Sequence, residues 1–347
     1  MAATRVAIIG CGAIAEQHLV VLTKTPGVEV VAVCDVSPIT ARTTAERYGV
    51  AAPYTDAAEM LTRESPDSVH VLTPPQFHYD LSEQALQGGA HVLCEKPITL
   101  TAPELERLAS LAISQGLLIM ENHNYGFNDQ VLALDKLVAS GRLGTIVDTS
   151  VSISVPITTG RFAEAGSPFQ HFPAGAIHDF ITHLVYLSLR YFPGQEVAHV
   201  RGIWRNRSGV EALRYDEMRG QIATTSGFAN VSFSAHVQPL ACRIALRGTG
   251  GSAETDLYQP FLRAEIERPG GKLGPLIDHA VNGAGLIGAS ARNFRDKLLS
   301  KTPYHGMSTM IPAFYDAVAG RGATPVSLAD MLRTSHTIDR LVAGANK

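Results

Sequence analysis

Lys96, Asp179 and His183 are side chains whose types and positions suit them to move a proton or hold a reacting oxygen. Lys96 precedes Pro97, and the residue before a proline is pushed towards extended backbone. Its ammonium therefore leaves the carboxyl end of the apolar run His91–Glu95, the end at which open parallel sheets bind ligands. A lysine, ordinarily near 10.4, serves as a base only when its surroundings bring it to about 7 or 8, a change of on the order of 4 kcal/mol. Asp179 and His183 are spaced i, i+4, so a helix over 176–191 presents both on one face. An imidazole starts near 6.5 and needs little adjustment to exchange protons. Taken alone, the spacing is met more economically by a surface Asp–His pair worth about 0.2 to 0.5 kcal/mol.

A second kind of chemistry is offered by Gly10-Cys11-Gly12-Ala13-Ile14-Ala15, which follows the apolar run Arg5–Ile9 and opens a helix. Gly10 permits a tight turn, Gly12 lets backbone approach a pyrophosphate, and Ala15 is small enough for helix and strand to pack closely. With Ala13 and Ile14 these residues form the start of a helix, where negative charge is favoured. Asp35 lies about 20 residues beyond Ala15, at the end of the next strand, where a carboxylate accepts from a ribose hydroxyl. The same carboxylate repels a 2′-phosphate, and no Arg or Lys follows before Arg42, so NAD is expected over NADP. The plainer alternative for Asp35 is a turn residue ahead of Ser37-Pro38.

These residues need elements to position them, and the hydrophobic pattern supplies two kinds. Up to about residue 120, short apolar runs (5–9, 28–34, 68–72, 91–95, 117–121) alternate with helix-period segments, which predicts an α/β fold with a buried parallel sheet. From about 145 the runs lengthen and alternate (145–155, 197–205, 213–224, 228–237, 243–248, 252–258, 261–267). That pattern predicts a large open, mainly antiparallel sheet in an α+β domain. The expected division is 1–122 and 123–347, with the C-terminal helices, the last capped by Ser327, packing back on the first domain.

The 347 residues exceed what one core usually organises. A net charge of -3 with interspersed signs argues against nucleic acid and for a small-molecule partner. The four cysteines show no C-x-x-C spacing, no metal-ligand set appears, and no secretion signal is visible; the expectation is a reduced, cytoplasmic protein. Residues 276–291, interrupted by Asp278, His279 and Asn282, are too short to cross a membrane. Within 268–303 an amphipathic stretch precedes a basic patch at Arg292, Arg295 and Lys297; core packing or a subunit interface is the favoured reading over a membrane surface.

Thr73-Pro74-Pro75-x-x-His78, Gly89-Ala90-His91-Val92 and Glu95-Lys96-Pro97, joined to the glycine turn, resemble the glucose-fructose oxidoreductase, inositol dehydrogenase and MocA (Gfo/Idh/MocA) family. Gly175-x-x-x-Asp179-x-x-x-His183 and Gly248-Thr249-x-Gly251 extend the likeness into the second half. The resemblance implies a Rossmann domain, an open-sheet domain, a homodimer or homotetramer, and hydride transfer between nicotinamide and a secondary hydroxyl of a sugar, cyclitol or sugar derivative. It implies that Thr73, Pro74, His78, Glu95 and Lys96 border the cofactor, and that Lys96, Asp179 and His183 are catalytic. Under it His183 exchanges the proton, Lys96 polarises the oxygen and Asp179 orients the substrate, with the first two roles exchangeable. Asn124, Tyr125 and His178 are candidates for substrate contact, and Phe169, His171 and Trp204 weaker ones. Gly126 stands where many relatives carry arginine. An NADPH-dependent keto-sugar or dihydrodiol-type enzyme and a non-catalytic dinucleotide sensor are the competing readings.

Overall fold

A computed structural model describes residues 3–164, 166–267, 273–298 and 304–344, with the side chains of 296–298 left aside. Part of the 268–303 segment, and the side chain of Lys297 in the basic patch, thus lie outside the described residues. The chain forms two compact units, one made of residues up to Asn124 with Met307–Ser335, the other of Tyr125–Gly306 with the residues from His336. No described helix is long and apolar enough to cross a membrane.

The first unit alternates β1 (Thr4–Ile9), α1 (Ala13–Leu22), β2 (Val28–Cys34), α2 (Pro38–Tyr48), β3 (Ala52–Tyr54), α3 (Ala57–Glu64), β4 (Ser68–Val71), α4 (His78–Gln87), β5 (His91–Cys94), α5 (Ala102–Gln115) and β6 (Ile119–Glu121). All neighbours run parallel in the order β3-β2-β1-β4-β5-β6. Such an order reverses direction between β1 and β4, the place where doubly wound sheets open a crevice for ligands. Strand β3 was not expected, because its three residues include Pro53 and carry no apolar run. Caps set the helix starts: the Ser37 hydroxyl accepts from Thr40 N, the Asp56 carboxylate from Glu59 N, and Thr101 with Glu104 forms a capping box.

At the switch point Gly10 has φ +95°, and a Cβ there would lie 2.8 Å from the carbonyl carbon and oxygen of Leu72 and 2.9 Å from Thr73 N. The turn after β1 therefore rests directly on the backbone leaving β4. Gly12, by contrast, is extended at the start of α1, and a Cβ there would meet nothing within 4 Å.

Behind these turns lies a buried polar chain. His18 Nε2 bonds Glu95 Oε1 at 3.0 Å, His18 Nδ1 bonds His70 Nδ1 at 2.8 Å, and His70 Nε2 bonds the Tyr315 hydroxyl at 2.8 Å. Tyr315 comes from the helix Met307–Val318, which packs on α1. Burial, and then the neighbouring His18, push the His70 pKa well below its usual value.

The second unit holds α6 (Asp129–Ala139), β7 (Ile146–Ser154), α7 (His178–Leu189), β8 (Val197–Arg205), β9 (Glu217–Thr224), β10 (Phe228–Ser234), β11 (Ala241–Gly248), β12 (Gly251–Asp256), β13 (Phe261–Ile266) and α8 (Gly274–Leu298). Helices α9 (Met307–Val318) and α10 (Leu328–Ala343) complete the chain. The seven strands run β13-β12-β11-β7-β10-β9-β8, antiparallel except for the central pair β7 and β10. That pair is parallel because α7, β8 and β9 intervene before the chain returns beside β7. Inward residues such as Val151, Ile153, Val231 and Phe233 pack under α7, whose Ile181, Leu184 and Val185 are wholly buried. The helix expected from Ala176 begins instead with a 3₁₀ turn, Gly175–Ile177, so the α-helix starts at His178.

Two outcomes are expected. Gly10→Ala, which meets backbone that cannot move aside, lowers the unfolding free energy by about 2 kcal/mol in urea titrations, whereas Gly12→Ala changes it by less than about 0.5. A histidine with a depressed native pKa contributes stability that is present above its unfolded value and is lost on acidification. Stability should therefore fall as pH drops below about 6.5, by up to roughly 1.4 kcal/mol per pH unit for His70. His70→Gln should flatten that slope, and parallel curves for the two proteins would remove His70 as its source.

Candidate functional site

In the first unit the carboxyl ends of β1, β2, β4 and β5 bring together the expected cofactor residues. Asp35 accepts from Cys11 N through Oδ2 and from Ser37 N through Oδ1, both at 2.9 Å. It thus fixes the glycine turn against the loop after β2, while remaining partly exposed. Cys11 inside the turn is buried, and its thiol is pushed up to about 11, chiefly by that burial. All four cysteines are buried free thiols.

The residues fit a dinucleotide on three observations. Helix α1 has no side-chain cap at its first turn, the space over Gly12 is open, and the buried Thr73 Oγ1 has no hydrogen-bond partner among the described residues. Gly12, Ala13, Ile14 and Ala15 supply the helix start, and Thr73 and Pro74 lead out of β4 opposite it. His78 engages backbone on both sides, Nδ1 with Pro97 O and Nε2 with Thr73 O, each at 2.7 Å. Two carbonyl acceptors call for two N–H groups, but burial outweighs them and lowers the His78 pKa. Its geometric role is to tie the loop after β4 to the loop after β5.

That second loop carries Glu95 and Lys96, joined to Pro97 by a cis peptide. Glu95 is buried, and its Oε1 meets His18 Nε2 and the Asn122 amide while Oε2 accepts from Lys96 N at 3.2 Å. Burial opposes its charge, yet His18 through hydrogen bond and charge, then Lys96, then Asn122 hold the carboxyl below its usual range. Glu121 accepts from Ile98 N at 3.0 Å and bonds His123 Nε2 at 2.8 Å. Glu121 and Asn122, which had no clear role in the sequence, thus hold the segment that presents Lys96. His18, His70 and Tyr315 were missed; the available signal was a histidine within the otherwise buried run Ser68–Leu72.

In the second unit, α7 and its surroundings build a different cluster. The His183 ring stacks on Tyr125, centroids 4.1 Å apart and planes within 8°, and its Nδ1 bonds the Tyr186 hydroxyl at 3.0 Å. Tyr125 is in turn held at its hydroxyl by Tyr258 at 3.3 Å. Asp179, one turn earlier, has Arg161 NH2 at 3.7 Å, and Arg161 lies over Phe162 and Phe169. Phe162, Phe169, Phe172 and Phe180 form the neighbouring aromatic wall, with His178 against Phe172. Arg161 and Tyr186 were not singled out in the sequence.

Other expected residues fall elsewhere. Trp204 packs on Tyr215 and donates to Leu341 O, and His171 sits exposed in a 3₁₀ turn. Asn124 is buried at the end of the first unit. Beside Gly126, where an added Cβ would lie 3.3 Å from it, stands the guanidinium of Arg190, paired bidentately with Asp135. Among the described residues no three His, Cys, Asp or Glu side chains gather as a metal group.

Comparison with known proteins places these features. Over residues 147 long, the chain is 35% identical to D-glucoside 3-dehydrogenase of Escherichia coli K12, covering 42% of each chain. It is 34% identical over 155 residues to dTDP-3,4-didehydro-2,6-dideoxy-alpha-D-glucose 3-reductase of Streptomyces violaceoruber, covering 44% of this chain and 45% of that one. The alignments thus span less than half the length of these relatives. The fold as a whole matches an NAD binding oxidoreductase from Klebsiella pneumoniae at TM-score 0.81, with 14% identity over 100% of this chain and 98% of that one. A profile described as "Oxidoreductase family, NAD-binding Rossmann fold" matches residues 4–123, the segment that carries the glycine turn, Asp35, Thr73 and Lys96. Residues 4–123 thus match the Gfo/Idh/MocA oxidoreductase family over its NAD-binding Rossmann part.

Proposed function

We propose that the chain is an NAD-dependent oxidoreductase acting on a secondary hydroxyl of a sugar, cyclitol or sugar derivative. The observation that carries this reading is Lys96, set beside the buried, ionised Glu95 at the same sheet end as the Gly10 turn and Thr73. Bound NAD supplies the hydride acceptor. Lys96 polarises the reacting oxygen and His183 takes the proton, the two roles being exchangeable. We assign Nδ1–H of His183 as donor to the Tyr186 oxygen, which puts the ring's lone pair on Nε2, ready for the hydroxyl proton. Asp179, steered by Arg161, accepts from a substrate hydroxyl.

NAD is preferred over NADP because the Asp35 carboxylate, already fixed by two amides, stands where a 2′-phosphate would need a cation. The second reading, reduction of a keto-sugar, rests on the likeness to the dTDP-sugar 3-reductase and uses the same residues in reverse.

Lys96→Ala and His183→Ala should each lower kcat at least about a hundredfold while changing the NADH dissociation constant less than about threefold. Turnover is followed at 340 nm with cyclitols, hexoses and nucleotide sugars, and near-wild-type rates in either variant refute the assignment. Asp35→Asn keeps an acceptor for an amide but removes the charge. It should shift the NADPH-to-NADH affinity ratio at least about tenfold towards NADPH, worth about 1.4 kcal/mol, as read by fluorescence titration; an unchanged ratio would show that Asp35 serves the turn alone.

A further inference from the structure

Arg161 is held more firmly than an ordinary surface arginine. Gly160, in the left-handed region at φ +65°, starts the 3₁₀ turn Gly160–Phe162, and the hydroxyl of the buried Ser167 donates to Arg161 O at 2.7 Å. The backbone is thereby fixed. The guanidinium carbon then lies over two rings, 4.7 Å from the Phe162 centroid and 5.5 Å from that of Phe169. Phe162 in turn meets Phe169 at 4.8 Å and Phe180 at 5.7 Å, and Phe180 meets Phe233 of β10, wholly buried in the sheet, at 5.0 Å. A chain of aromatic rings thus carries one cation from the core of the second unit to its surface.

The partners of that cation are weak ones. Asp179 Oδ2 stands 3.7 Å away, within ion-pair range but beyond a hydrogen bond, and an exposed pair of this length contributes little. Glu164 is the only acid from 155 to 178, and among the described residues neither it nor any other group is hydrogen-bonded to the guanidinium. The Arg161 side chain is 70% exposed. Its flat fork of N–H groups is therefore positioned by the rings and turned to solvent, the arrangement that takes two oxygens of a carboxylate or phosphate at once.

We propose that Arg161 holds an anionic group of the substrate, which makes the substrate a sugar acid or a sugar phosphate. This rests on the assignment of Asp179 and His183 to the substrate site. Asp179 is paired with Arg161 and precedes His183 by one helical turn, about 6 Å. The charged group and the reacting hydroxyl therefore fit on one small sugar. A carboxylate and a phosphate monoester offer the fork the same pair of anionic oxygens, so either source satisfies it.

The test compares charged sugars with uncharged ones: D-glucuronate and D-gluconate for the carboxylate, glucose 6-phosphate for the phosphate, and D-glucose and myo-inositol as neutral counterparts. Wild-type kcat/KM, followed by NADH absorbance, should favour one charged class over the neutral sugars at least about tenfold. Arg161→Gln should reduce that ratio at least about tenfold, chiefly through KM. The ratio is the readout because losing Arg161 also disturbs Asp179 for every substrate. Binding is read apart from turnover, as the rise in Tm of the NADH-loaded full chain with each sugar at millimolar concentration. The favoured charged class should raise the Tm of wild type and not that of Arg161→Gln. Neutral sugars used as well as charged ones, or the same ratio in both proteins, would overturn the inference and leave the proposed oxidoreductase standing. Charged sugars that neither bind nor turn over would overturn it too. A charged sugar that raises Tm through Arg161 with no turnover of any sugar would uphold the anion site and remove the proposed activity.

Discussion

The buried carboxylate of Glu95 is the charge around which the ligand end of the first unit is organised. A lone carboxylate in that setting would neutralise itself or cost several kcal/mol. It stays ionised because His18 from α1, Asn122 from the end of β6 and the backbone of Lys96 surround it. Each of those groups is thereby fixed in turn. His18 hands on to His70 in β4 and Tyr315 in α9, so one charge ties two strands and two helices into a single polar frame. The backbone of Lys96 is held by that frame through its N–H.

The glycine turn depends on a different constraint, steric and not electrostatic. Gly10 lies against the backbone of Leu72 and Thr73, and Asp35 then closes the turn from the other side through Cys11 N. Two short-range contacts leave little freedom at the start of α1. Gly12 alone keeps open space above it. A site for a large anion needs this combination: rigid walls, and one position from which side-chain atoms are missing.

Much of this was legible in the sequence, for identifiable reasons. Strands β1, β4 and β5 are buried on both faces and read as continuous apolar runs, so the parallel sheet and the ends of its strands followed directly. The i, i+4 spacing of Asp179 and His183 likewise survives in α7. What could not be read is pairing across long separations. Nothing local announces that His70 meets Tyr315, 245 residues away, or that Tyr125 lies flat on His183. Nor did the segments of the second half show which would be neighbours. Alternation reports which face of a strand is buried, whereas the parallel contact of β7 with β10 follows from the path of the chain between them.

Helix α8 shows why an amphipathic pattern does not fix which face turns inward. The usual rule sends the apolar face to the core, because burying it is the largest gain a surface helix can make. In α8 the polar face is instead turned to the edge strand, whose N–H and C=O groups have no further strand to pair with. Asp278 and Asn282, four residues apart, satisfy β13 with side-chain groups at Ala264 and Ile266. Their burial determines the orientation of the whole helix. With the polar face committed to the sheet, apolar side chains such as Leu276, Ile287 and Phe294 stand exposed.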